Sequence, residues 1–540
     1  MVEPLNRLRR FLFYGKEENF YQPGDRHTFG YFQKSKLSSI EELISQDQQS
    51  LPVTELVRAY NDGNSAHPDS IIFVLAMCAI QECKLTQRNA YLNVPRICKS
   101  PESLMLFVKF KEQLKEPQTG WGKGMRKVVQ SWYEEEESTR NLATKVTRVQ
   151  SRYRWSHKDI LKLSHIREKE IKNAELNVVI QYIMFGLSKA KAVAEKNPVE
   201  TTEIIGYLEA ITSIKKNENV EDVAAAIRHY RFSPSHISPP MLKKQEIWNA
   251  LMENMPTREL LELVPILNRL GFLKVNSQKE TTPFTNSVVD KLMTDDVTNV
   301  HPAHVLVIKK TYENPLLVQK IQQDKKKPPA PAKYQRTLPK PNETVVKGLQ
   351  SLLDKSLKAL KPTGKRFCIC LDVRSGMAHG KCWSCPVLTP GDAATIITLC
   401  ILKSEEESNV KLLAFGDKRM NEITLSTEKS MDDLYQEMKD AEAGPVNLAL
   451  PFSYAADNNQ EFDVFVVITD NAVKGGAQIA QDALQNYRLT MSKPQAKLVV
   501  CGLTARNVNI ASPTDICMFD IAGFDKHVPK VIEGFARDLF

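Results

Sequence analysis

The chain has 540 residues, 42% of them hydrophobic and 25% charged, with 73 Lys+Arg against 64 Asp+Glu and a formal net charge of +9. That is ordinary globular composition, which excludes a wholly disordered or fibrous protein, and at about 150 residues per domain the length implies two to four domains. The longest uninterrupted apolar run, Ile71 to Ile80, is far short of the ~20 residues of a membrane-spanning helix, and the opening residues MVEPLNRLRRFLFYG lack the apolar stretch of a secretory signal. A cytoplasmic location with a nuclear pool and no membrane partner is expected.

The charge is unevenly placed. Residues 1 to 360 carry 54 basic and 41 acidic side chains, net +13, whereas residues 361 to 540 carry 19 and 23, net −4. Such an asymmetry is the footprint expected for a polyanion partner, although it also fits a merely soluble basic domain. Seven of the ten cysteines fall in the last third, mostly inside apolar runs such as Phe367-Cys368-Ile369-Cys370, so they read as reduced, packed thiols rather than a disulfide framework. Cys382-Trp383-Ser384-Cys385 has no second Cys or His pair at zinc spacing and reads as a loop with two free thiols.

From about Ser38 to Tyr312 the chain is a succession of helical segments separated by Pro, Ser, Asn or Gly. Ser38-Ser39-Ile40-Glu41 has the spacing of a capping box, and Ser100-Pro101 sets a cap before a proline at the first helical position. After Pro256 the residues Leu260, Leu263, Val264, Leu267 and Leu270 recur at helical spacing, with Pro265 expected to kink that helix. Strand-like alternation is nearly absent, so the region reads as all-α, its antiparallel helix pairs stacked like a solenoid. Residues 324–342, DKKKPPAPAKYQRTLPKPN, read as an extended connector. Beyond it, Phe367 to Leu371, Val410 to Phe415, Val464 to Thr469 and Lys497 to Cys501 are short, nearly continuous apolar runs, the mark of strands buried on both faces. Helical stretches Ala393 to Lys403, Ala477 to Tyr487 and Val528 to Leu539 separate or follow them, which implies a doubly wound, largely parallel sheet. The expected division is a helical module over residues 1–360 and an α/β domain over residues 361–540.

In open α/β sheets, sites form at the carboxyl ends of strands. Asp372 closes the first strand and Asp470 closes Val464–Thr469. Their surroundings resemble the von Willebrand factor A domain, whose metal site uses Asp-x-Ser-x-Ser, a loop threonine and a second aspartate. With Lys361-Pro362-Thr363-Gly364-Lys365-Arg366-Phe367, Asp463-Val464-Phe465, Thr469-Asp470-Asn471 and Lys497 to Gly502, and with His301-Pro302-x-His304 and Trp155-Ser156-His157-Lys158-Asp159 continuing to Leu163-Ser164-His165 in the helical part, the chain as a whole resembles the TROVE family of ribonucleoproteins. That resemblance implies a ring of HEAT-like helical repeats followed by the von Willebrand-like domain. It also implies binding of small noncoding Y RNAs and of the single-stranded ends of misfolded small RNAs, in RNA stabilisation and quality control.

The metal site departs from the family pattern. Asp372 and Asp470 match, but the serine positions are Arg374 and Gly376 and the threonine position is Val446. A hard cation such as Mg2+ wants about six oxygens, so only a remnant site of Asp372, Asp470 and a one-position slip to Ser375 is left, and Mg2+ is expected to bind weakly. Arg374 is expected to set its guanidinium between the carboxylates. No other cofactor is assigned.

A second constellation lies between residues 120 and 170. Lys145, Arg148 and Arg152 fall at i, i+3 and i+7, expected on one helix face with Leu142, Val146 and Val149 turned inward. Lys158, Lys162 and His165 repeat the pattern and Arg167 follows, while Lys123, Arg126 and Lys127 adjoin Trp121, Trp132 and Tyr133, and Tyr153 and Trp155 lie between the stripes. Phosphates need cations and unpaired bases need aromatic or guanidinium faces. Taken alone, basic helix faces are usually just solvated and aromatics at helical spacing are usually core. No phosphate loop, zinc-protease or nucleophile-elbow motif is present, and His301 with His304 reads as a helix start, so no enzyme is expected. The expected protein is a monomeric RNA-binding scaffold; the alternative is an adaptor that holds a protein on its helical array and its α/β domain.

Overall fold

The computed structural model describes residues 2–23, 31–63, 65–114, 120–134, 136–275, 281–293, 296–297, 299–315, 340–424, 426, 429–471, 473–474 and 476–540. They form two compact units, one of residues 4–17 and 27–255, the other of residues 1–3, 18–26 and 256–540. Most of the Lys/Pro-rich connector expected at 324–342 lies outside the described residues. Its last residue, Asn342, caps the helix Glu343–Lys358 by accepting the Thr344 N–H at 3.0 Å.

The first unit is helical, as the spacing predicts. Pro68–Ala79 and Pro101–Leu114 are its most buried helices, because nearly every residue of the first and most of the second are apolar. Around them Phe11, Phe32, Phe73 and Phe110 pack with ring centroids 5.1–5.8 Å apart, each such pair adding about 0.5–1.5 kcal/mol beyond area burial. The capping box expected at Ser38 does not form. Glu17 takes its place, accepting the Ser39 N–H at 2.8 Å and pairing with Arg7; a distant carboxylate on the same positive helix end outcompetes the local hydroxyl. The expectation of an all-α region also misses a hairpin, β2 (Ser151–Arg152) and β3 (Trp155–Ser156), which follows β1 (Phe20–Tyr21) in chain order.

The second unit holds a seven-stranded sheet. Its other strands are β4 (Phe367–Leu371), β5 (Val410–Phe415), β6 (Met420–Glu422), β8 (Val464–Thr469), β10 (Lys497–Gly502) and β11 (Met518–Ala522), while β7 (Val446–Asn447) and β9 (Val473–Lys474) pair separately. The order is β1-β11-β10-β8-β4-β5-β6, parallel except for the β5–β6 pair. Every residue of β4, β8 and β10 is buried, which is why these strands read as continuous apolar runs rather than alternating ones. From β4 the chain moves to β5 and then returns to β8 on β4's other side, so the crevice outside β4 and β8 is the topological switch point. Asp372 and Asp470 are the next residues after those two strands.

The compact division does not fall at residue 360. The helices Thr257–Leu270, Pro283–Leu292, Pro302–Glu313 and Glu343–Lys358 belong to the α/β unit, tied to it by an ion pair from Lys310 Nζ to Asp392 Oδ1 at 2.9 Å and by Glu262, whose carboxylate meets both His304 and Lys526. Thr257–Leu270 runs through Pro265 as one helix. His301 caps the Pro302–Glu313 helix, its Nδ1 accepting the Ala303 N–H at 3.2 Å, the helix-start role its spacing predicts.

β1 comes from the other end of the chain, and no periodicity announces a two-residue strand. Asn19 fixes it: its buried side-chain amide donates to the Ser512 carbonyl at 2.8 Å and the Met518 carbonyl at 3.1 Å. Substituting Asn19→Ala leaves two buried acceptors unmet and should lower stability by about 1–3 kcal/mol. The urea midpoint of the full chain measures this, and an unchanged midpoint would show that β1 docks without it.

Candidate nucleic-acid interface and strand-end acid pair

The basic residues singled out from the sequence all lie in the helical unit, but not as two continuous stripes. The helix Thr139–Arg148 ends at Arg148, because Val149 leaves helical dihedrals (φ −125°, ψ 86°), and Arg152 sits in β2 instead of one turn further along that helix. Lys145 is held at 2.6 Å from Glu136, and Arg148 faces Glu102 at 3.8 Å. Their charge is partly neutralised by the protein itself.

Lys158 and Lys162 stand exposed on the helix His157–Ser164, while His157, Ile160, Leu161 and Ser164 are buried beneath it. A reciprocal Ser156–Asp159 capping box starts that helix. His165 does not extend the face: it adopts φ 57° and ends the helix, and Arg167 lies beyond, loosely paired with Glu170 at 3.9 Å. The neighbouring helix Lys123–Glu134 carries exposed Lys123 and Lys127 and half-buried Arg126, and Gln130 Nε2 ties it to the Ser164 carbonyl at 3.2 Å. Lys123, Lys127, Lys158 and Lys162 form no ion pair among the described residues.

The aromatic residues separate into two sets. Trp121, Trp132 and Tyr133 are core, not the base-stacking faces their neighbours suggested. Trp121 Nε1 donates to Glu112 at 2.9 Å, and Tyr133 Oη lies 2.7 Å from His157 Nδ1, under the edge-on ring of Trp132. Tyr153 and Trp155 are only half-buried and lie on the hairpin. Its register pairs Ser151 with Ser156 and Arg152 with Trp155, which leaves Tyr153 and Arg154 as a two-residue turn with φ 53° and 67°. Trp155 leans on Trp121 at 6.1 Å between ring centroids. Arg154, exposed at the tip, was missed from sequence because it belongs to no helical spacing.

At the switch point the carboxylates are already engaged. Arg374 donates to Asp372 Oδ1 from its backbone N–H at 3.0 Å and from Nε at 2.9 Å, and to Oδ2 from Nη2 at 2.6 Å; Thr469 Oγ1 donates to Oδ2 at 2.8 Å. The same Nη2 lies 3.6 Å from Asp470 Oδ1. Asp372 is fully buried. A Cβ at Gly376 would stand 2.3 Å from Asp470 Oδ2, so a side chain there requires that carboxylate to move. Ser375 is exposed at the start of a five-residue helix and bonds neither carboxylate. Val446 is fully buried in β7, in a loop clamped where Gly444 meets Gly416 backbone to backbone. With both Asp372 oxygens committed to a guanidinium, these residues do not fit a resident hard cation. Among the described residues no group of three or more His, Cys, Asp or Glu is placed to hold a metal. Cys382 and Cys385 are buried free thiols, and burial pushes Cys385 up to about 12.

Family models and known proteins agree on what this arrangement belongs to. A TROVE domain model matches residues 33–356, and a Ro60 vWA domain model, the von Willebrand factor A-like domain of Ro60, matches residues 366–536. The chain is 25% identical to "RNA-binding protein RO60" of Caenorhabditis elegans over 99% of its own length and 88% of that protein's. It is 27% identical to the protein of the same name from Deinococcus radiodurans, over 99% and 93%. It also superposes on the crystal structure of the Deinococcus radiodurans RO (RSR) protein with a TM-score of 0.82, at 23% identity, covering 99% of this chain and all of that one, and therefore shares its fold.

Two measurements follow. Replacing Arg374→Ser leaves Asp372 buried without its counter-charge and should cost about 2–4 kcal/mol at pH 7 in chelator. Denaturant titrations of variant and parent test it; equal stability would place the neutralising charge elsewhere. In the helical unit, burial holds His157 down to about 4, below the ~6.5 of an unfolded chain. The unfolded state therefore binds more protons between those values, and stability from this group, complete above about pH 6.5, is lost as pH falls toward 4. Asp69, pushed up to about 6 by burial, acts in the opposite direction. The comparison of parent with His157→Gln isolates the histidine: the variant should show a shallower loss between pH 6.5 and 4.5, by about 1–3 kcal/mol, and identical pH profiles would contradict the assignment.

Proposed function

The chain belongs to the TROVE–Ro60 family, and on that premise we propose that it is a ribonucleoprotein scaffold whose helical unit grips small noncoding RNA of the Y RNA type and the single-stranded ends of misfolded RNAs. It is an RNA-binding protein. The observation that carries the finer reading is a cluster of cations without an ion pair among the described residues: Lys123, Lys127, Lys158 and Lys162, on two helices that pack together, with Arg152 on the adjoining hairpin. Phosphate contacts supply affinity without reading sequence, so recognition by shape and backbone with some base stacking fits this surface.

In the α/β domain we propose that Arg374 does the neutralising a divalent cation would otherwise do, so that the domain works without resident metal and carries out no reaction of its own. Support comes from the donor set, in which an acid pair is already bonded to a guanidinium.

The test is electrostatic. Replacing Lys158 and Lys162 together by Ala should weaken binding of a small structured RNA about tenfold and make the salt dependence of log K shallower by about 1–2. Lys191 on the helix Leu187–Ala194, paired at 2.5 Å with Glu209 of the helix Pro198–Ile214 on the same unit, is the control. Lys191→Ala should change neither affinity nor slope by more than about twofold. Unaltered binding by the double variant would reject this surface, and a salt-independent affinity for a protein ligand with none for RNA would favour an adaptor.

A further inference from the structure

The hairpin tip is the feature of the helical unit that neither packing nor turn chemistry fully explains. A two-residue loop with positive φ at both positions is the turn for which Asn-Gly or Gly-Gly is suited. Here the two positions are Tyr153 and Arg154, at φ 53° and 67°, a conformation that bulky residues adopt only when something else is gained. Core packing accounts for only part of it, because Tyr153 is half-buried and Arg154 exposed. An ion pair does not account for the rest, since Arg154 forms none among the described residues. Backbone strain of this kind concentrates at ligand-contacting sites.

What the tip displays is an aromatic ring bracketed in sequence by two guanidinium groups. The guanidinium carbon of Arg152 lies 5.9 Å from the Tyr153 ring centroid, and Arg154 follows. The other aromatic side chains nearby, Trp121, Trp132 and Tyr133, are buried, and Trp155 braces the base of the hairpin against Trp121. Within this stretch the hairpin is therefore where a half-buried ring and arginines outside any ion pair coincide, Arg152 being bonded to Tyr153 itself. Stacking a base on a ring while flanking cations hold its phosphates is how sequence-tolerant contact with a single strand is made.

Building on the RNA-binding reading above, we propose that Tyr153 and Arg154 form a stacking finger for an unpaired nucleotide: the Tyr153 ring takes the base face, and Arg152 and Arg154 take the adjacent phosphates. The finger would favour single-stranded RNA segments over duplex, whereas the lysines of the neighbouring helices serve both.

The discriminating variant is Tyr153→Asn with Arg154→Gly, because it relieves the backbone while deleting the chemistry. In the full-length protein its thermal midpoint should stay level or rise, yet affinity for a labelled single-stranded RNA of about twelve nucleotides should fall at least about tenfold, against about twofold or less for a blunt duplex of the same length. The salt slope should lose about one unit for the arginine. Tyr153→Phe should keep single-strand affinity, and Tyr153→Leu, which retains bulk without an aromatic face, should lose most of it; these two carry the test if the double variant were to misfold. Parent-like single-strand affinity in both the double variant and Tyr153→Leu, while Lys158→Ala with Lys162→Ala still weakens binding, would overturn the finger and leave the RNA-binding reading standing. Failure of the parent protein to bind either probe would overturn both.

Discussion

A polyanion can be gripped only by cations that the protein has not already neutralised with its own carboxylates, and the whole functional reading of this molecule depends on that accounting. Formal charge is a poor guide to it. Lys145 and Arg148 are as basic as Lys158 and Lys162, but Glu136 and Glu102 stand against the first two. The helix His157–Ser164 instead turns its one acidic residue, Asp159, back onto its own amino terminus. The capping box thus does two things at once: it satisfies the helix end and withdraws a carboxylate from the surface the lysines occupy.

The same principle, acting in the opposite sense, shapes the strand-end crevice of the α/β domain. Two aspartates at a topological switch point would ordinarily call for an ion, but Arg374 stands two residues past Asp372 and forms with it a forked pair. Once a guanidinium is covalently part of the site, further oxygen donors have no work to do. A glycine at 376 and a buried valine at 446 are compatible with that arrangement, whereas they would starve a cation of ligands.

Much of this was legible in the sequence. The strands β4, β5, β8 and β10 fell where continuous apolar runs were read, because burial on both faces leaves no other pattern. The acid pair was legible for the same reason: each aspartate ends such a run. What escaped was whatever depends on partners far along the chain. β1 is two residues long and exists because β11 offers it an edge and Asn19 finds two carbonyls nearly 500 residues away. Glu17 displaced the local cap at Ser38 because tertiary packing brought it there. The basic surface was half legible. Helical spacing placed Lys158 and Lys162 correctly, but a single spacing was extended past Val149 into a hairpin whose turn residues, Tyr153 and Arg154, carry none of the usual turn signals. The local rule failed there, at the position now assigned a function.

On the proposed function, RNA lies along the helices Lys123–Glu134 and His157–Ser164 and the hairpin between residues 151 and 156. Ultraviolet crosslinking of copurified RNA to the full-length protein, followed by mass spectrometry of the nucleotide-bearing peptides, tests it most directly. Crosslinks should concentrate between residues 121 and 167, with Tyr153 foremost. Crosslinks confined to residues 361–540, or no RNA recovered at all, would contradict it.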